Sequence, residues 1–230
     1  MNNTTAVTNA TTEVLTTTDV SEAINLFFTV LIPAVFHKYI MFFTTPFIYP
    51  EMWWLLIHLI LTFVLFEFYF ERHENEDLGW TAALANSVVM MFISMELLRV
   101  IYGHTDGPIA VLIQIVKDYF SLGFFSEQMV LVTLILILGI GGIATALINY
   151  YHLLPRKLAF MVSGHKTVNL LAYFVMVVTF RRYNGEEFII DGITITALLL
   201  FGATMWLLIY VLASTKKKKK THHQLFTPHR

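Results

Sequence analysis

Seven apolar stretches alternate with short polar ones along the chain. They run over residues 23–45, 51–70, 80–102, 108–125, 127–151, 158–180 and 188–213. Most reach the roughly 20 residues that an α-helix needs to cross a hydrocarbon core about 30 Å thick. Turn-forming or charged segments separate them: Thr44–Pro50 (TTPFIYP), Glu71–Asp77 (ERHENED), Gly103–Pro108 (GHTDGP), His152–Lys157 (HLLPRK) and Arg181–Glu187 (RRYNGEE). The pattern predicts an all-α polytopic helix bundle in a membrane. A polar tail, residues 1–18, precedes the membrane domain, residues 19–214, and a polybasic tail, residues 215–230, follows it.

The fourth stretch decides how many times the chain crosses. Between Ile109 and Phe125 it carries Gln114, Lys117, Asp118 and Ser121. Their spacing is i, i+3, i+4, i+7, one stripe on a helix. Turned toward other helices, the stripe allows seven spans. Turned to water, it leaves five spans and two interfacial amphipathic helices, the first and the fourth. Lys117 and Asp118 at the centre of a span would cost about 2.5–3.5 kcal/mol each, nearly offset by a dozen apolar neighbours at about −0.5 kcal/mol each. Loop charges favour seven. That count places Arg99, Arg156, Lys157 and the run Lys216, Lys217, Lys218, Lys219, Lys220 in the cytoplasm, and the acidic ERHENED loop outside. Seven spans, an external N-terminus and a cytoplasmic C-terminus are therefore expected.

Composition agrees. The chain is 57% hydrophobic and 13% charged, against about 45–50% and about 25% for soluble domains. It has no cysteine, which excludes disulfides and thiolate metal sites. The opening residues lack a basic region, so no cleavable signal peptide is expected. Asn2, Asn3 and Asn9 each begin an N-x-Thr sequon and are candidate glycosylation sites for an external tail. The lysine run fits contact with anionic lipid headgroups rather than nucleic acid.

Charged and amide side chains at membrane depth often mark a path for ions or solutes. His58, Asn86, Glu96, Arg99, Lys117, Asp118, His165, Lys166 and Asn169 are the candidates for such a path. The plainer reading is pairing and snorkelling: Glu96 and Arg99 stand i, i+3 on one helix. His58 and His165 would provide the axial pair for a b-type haem only if they share a depth; no cofactor and no metal is expected otherwise. No nucleotide loop, zinc motif or nucleophile elbow is present, so no enzymatic role is expected.

Two longer-range patterns remain. Gly139, Gly141, Gly142, Ala144 and Ala146 provide small-residue spacing for close helix contact. Asn86 precedes Arg99 at the spacing by which Asn169 precedes Arg182. With seven spans that match implies two repeats of opposite orientation, a plan common in transporters. The functional expectation is a channel or gradient-driven carrier for a small ion or solute in the cell membrane. The alternative is a non-catalytic scaffold, a homo-oligomer or a subunit of a larger membrane complex.

Overall fold

The computed structural model describes residues 20–72, 79–103, 107–123, 126–155, 158, 161 and 164–224. Among them there are seven helices and no strand. They are α1 (Val20–Ile48), α2 (Met52–Arg72), α3 (Gly79–Tyr102), α4 (Pro108–Leu122), α5 (Glu127–Tyr150), α6 (His165–Tyr183) and α7 (Gly192–Gln224). Each expected apolar stretch holds one helix. Three are long and apolar enough to cross a membrane: Val20–Ile48, Ala83–Tyr102 and Glu127–Tyr150. Met52–Leu65 and Gly192–Leu208 are shorter apolar helical segments. The sequons Asn2, Asn3 and Asn9 lie outside the described residues.

Proline shapes α1 twice. Phe27–Leu31 is wound as a π-helix, with the Ile32 amide donating to the Phe27 carbonyl. Pro33, just downstream, has no N–H to continue the α-pattern, and its ring crowds the carbonyl four residues back. Pro46, expected to end the helix in the TTPFIYP turn, is instead held within its last turn.

The chain divides into two compact units, 1–42 with 189–230, and 43–188. In the first, α1 and α7 touch near residues 39–42 and 201–204. Tyr39 donates to Thr204 at 3.1 Å, and the rings of Phe42 and Phe201 are 5.7 Å apart. At this contact residue numbers rise on one helix as they fall on the other. Asp191 caps α7 by accepting the Thr194 amide at 2.8 Å. That bond holds the Asp191 carboxyl below the ordinary carboxylate range and starts the helix four residues later than the apolar run implies.

The second unit is built on α2, α3, α5 and α6. The closest packing is between α3 and α5. The hydroxyls of Ser87 and Thr145 are 2.9 Å apart, and Ser94 donates to the Ile135 carbonyl at 2.9 Å. Gly139 and Gly142 make the approach possible. A Cβ on Gly142 would stand 2.9 Å from the Ser87 carbonyl oxygen, and one on Gly139 would stand 2.5 Å from the Ser94 hydroxyl. Here the small-residue expectation locates a real contact.

The same contacts fix direction. Residue 87 meets 145, and residue 94 meets 135, so α3 and α5 run antiparallel. Arg182, at the end of α6, lies 3.9 Å from Glu127, at the start of α5. Arg181 and Glu186 bond Thr45 and Tyr49, just before α2. The four helices therefore alternate up, down, up, down. One end of the unit, here end A, gathers the starts of α2 and α5 and the finishes of α3 and α6. The opposite end, end B, gathers the other four termini.

This corrects the expected order of crossings. Seven spans require α3 and α5 to run parallel, with α4 carrying the chain from one end to the other. Instead the segment holding α4 leaves end A and returns to end A. The repeat scheme changes with it. Asn86 and Arg99 on α3, and Asn169 and Arg182 on α6, sit on two helices that run the same way, not in opposite orientations.

Candidate functional site

The core of the second unit is apolar at mid-depth. Ile93, Ile135, Leu138, Val175 and Met176 are almost fully enclosed there. Helix α6 is its axis: every residue from Ala172 to Arg181 is buried, with α2, α3 and α5 packed around it. Arg181 closes that buried stretch, while Lys166 is exposed near the start of the helix and Arg182 is half-buried at its end.

The expected path residues are not brought together. They divide between the ends, with the apolar layer between them. Toward end A lie His58, Glu96, Arg99, Lys117 and Asp118; toward end B lie Asn86, His165, Lys166 and Asn169. His58 is half-buried; its Nδ1 lies 2.6 Å from the Trp54 carbonyl, and its ring sits between Trp54 and Phe92 at 5.1 and 5.5 Å. Glu96 and Arg99 pair with each other at 3.1 Å on the outside of α3. Lys117 is exposed. Asp118 accepts from Gln114 at 2.7 Å, one turn away on the same helix. Asn86 is buried and Lys166 is exposed. Asn169 is half-buried, and its amide nitrogen is enclosed without a hydrogen bond.

The haem alternative required His58 and His165 at a common depth. His165 opens α6 at end B, whereas His58 lies six residues into α2 from end A. At 1.5 Å per residue their backbones are separated by about 18 Å along the bundle axis. No cluster of three or more His, Cys, Asp or Glu side chains occurs among the described residues.

A polar cluster that the sequence did not announce stands at end A. Arg181, placed by its sequence context in a loop, belongs to the last turn of α6 and is buried. Its Nε donates to the Thr45 hydroxyl at 2.7 Å and its Nη2 to the Thr44 hydroxyl at 3.3 Å. Its Nη1 bonds the Glu186 carboxylate, whose other oxygen accepts from the Tyr49 hydroxyl at 2.5 Å. Burial, then the bond to the Glu186 carboxylate, pushes the Tyr49 hydroxyl up to about 12. A buried guanidinium is stable only when its donors are met. Here two threonines and a glutamate meet them and tie the entry of α2 to the exit of α6. The signal was present in two parts: an arginine following a largely apolar stretch without a helix breaker, and a paired threonine at another helix end. Nothing in either part named the other as its partner.

No protein-family model, curated protein or solved structure matches the chain.

Proposed function

We propose that this chain is an integral membrane protein whose bundle is closed to solutes, and that it serves as a non-catalytic structural subunit in the cell membrane. The observation that carries the reading is the enclosed apolar layer of Ile93, Ile135, Leu138, Val175 and Met176. It stands between the two groups of polar residues that a conducting path would have to join. Polar groups near that layer are committed to helix contacts: Ser94 to the Ile135 carbonyl, and Ser87 to Thr145.

In this reading α2, α3, α5 and α6 cross the membrane and α4 does not. Helices α1 and α7 add two crossings, for six. Both termini then share one side, and the lysines Lys216–Lys220 make that side cytoplasmic by the positive-inside rule. End A faces outward. The N-terminal sequons stay in the cytoplasm and unmodified.

The test is flux. Liposomes holding the purified protein should collapse a pH or salt gradient no faster than empty ones. A second reading, a channel or carrier for a small ion or solute, is favoured by one observation, the enclosed and unbonded amide of Asn169. Flux above the empty-vesicle level that falls in an Asn169→Leu variant would establish that reading and overturn the first.

A further inference from the structure

Helix α4 has three distinct faces. The first meets the bundle: Ile115 is buried, and the Tyr119 and Thr133 hydroxyls are 2.6 Å apart. The second is polar and open, formed by Gln114, Lys117 and Ser121. The third is apolar and open, formed by Ile109, Leu112, Ile113, Val116 and Phe120, with Phe120 88% exposed. At 100° per residue the three faces are centred about 120° apart around the helix.

Three further facts bear on where such a helix sits. It has 15 residues, a length of about 22 Å, short of a hydrocarbon core of about 30 Å. The chain enters and leaves it at the same end of the bundle. Gly107 and Gly123 bracket it with φ values of 119° and 81°, left-handed conformations that L side chains resist and that let the backbone turn sharply on either side.

We propose that α4 is a membrane-surface helix at end A. Its Ile109–Phe120 face lies against the acyl chains of one leaflet, and its Gln114–Ser121 face stands among the headgroups. The partner is the lipid surface itself. The helix is held to the bundle by Ile115 and Tyr119, so lipid contact occurs in a fixed rotational setting, with Lys117 at phosphate level. An amphipathic helix with one apolar and one polar face has this preference for the interface. The inference rests on the membrane reading above and adds to it a depth and a rotation for one helix.

The absence of native cysteine makes the experiment direct. Single cysteines at Ile113, Val116 and Phe120, and at Gln114, Lys117 and Ser121, are spin-labelled in the full chain. The protein is then placed in phosphatidylcholine vesicles containing phosphatidylglycerol. Ile137 and Ile140, exposed in the middle of α5, serve as deep references. The expected result is a several-fold alternation with helical period. Oxygen collisions dominate at the apolar set and a water-soluble nickel chelate at the polar set, while the apolar set lies shallower than Ile137 and Ile140. An apolar set as deep as the references overturns the proposal, because α4 would then cross. Equal chelate access at all six positions also overturns it, because α4 would then stand in water. Chelate access at Ile137 and Ile140 themselves marks a different failure, that of the membrane reading, and removes the inference with it.

Discussion

Helices α4 and α6 begin with the same handicap and end in opposite places. Each is apolar with charges on it, and each was expected to cross. In α6 the charges stand near the ends, Lys166 at one and Arg181 and Arg182 at the other, and an unbroken apolar stretch fills the middle. That stretch becomes the axis of the bundle. In α4, Lys117 and Asp118 sit in mid-helix, and the helix stays at the edge with most of its surface exposed. The position of a charge along a helix, more than the number of charges, separates a central helix from a peripheral one.

The sharpest way to break this comparison is to ask which side each loop faces. Single cysteines at Glu51, Glu127 and Glu187 should all react with an impermeant reagent from one side, and those at Asn75 and Leu153 only from the other. If Glu51 and Glu187 react from opposite sides, α4 crosses and the contrast with α6 is void.

The next largest effect is expected at the α3–α5 contact. Gly142→Leu places side-chain atoms against the Ser87 backbone, which cannot yield by a rotamer change, and the variant should lose at least about 1–3 kcal/mol. Gly192→Ala, where nothing lies within 4 Å, should leave the thermal midpoint unchanged. Melting of both variants in detergent checks the difference.

Two adjacent arginines sharpen the comparison further. Arg181→Met strands the Thr45 and Thr44 hydroxyls and Glu186, at about 2–3 kcal/mol, since Glu186 keeps some solvent. Arg182→Met breaks only a long contact to the exposed Glu127 and should cost less than about 0.5 kcal/mol. Equal losses would mean that the end A network does not hold α2 to α6.

The smallest effect is in alkali. The raised pKa of Tyr49 means that the folded state keeps a proton there that the unfolded chain has lost. The stability from this group is whole below about pH 10 and declines as pH rises toward 12. Absorbance titration of wild type against Tyr49→Phe should show one phenol fewer ionising at the high end, and the variant should lose less stability over that interval.

The helices themselves were largely legible in the sequence, because a helix that crosses or lines a bilayer writes its length in apolar residues. All seven stretches carry one. The neighbours were not legible. Periodicity says that the Gly139–Gly142 stretch will meet something closely; it does not say that Ser87 and Ser94 will be there, or in which direction they run. Direction resides in pairings such as 87 with 145 that lie far apart along the chain. Arg181 was misread for a related reason. A charged run looks like a loop until its partners, Thr44 and Thr45, are seen more than a hundred residues earlier. Of the polar stripe on α4, Gln114, Lys117 and Ser121 are exposed and Asp118 is half-buried. Its outward rotation goes with Ile115 and Tyr119 facing the bundle, which the stripe alone does not specify.

The enclosure of α6 has a consequence for how the molecule is made. A helix whose middle is buried on every side has nothing to pack against until its neighbours are made. The three that wrap it are all encoded upstream and emerge from the ribosome before it does. The order of synthesis thus supplies the walls before the pillar, and a circular permutant that delivered α6 first would have to hold it in waiting.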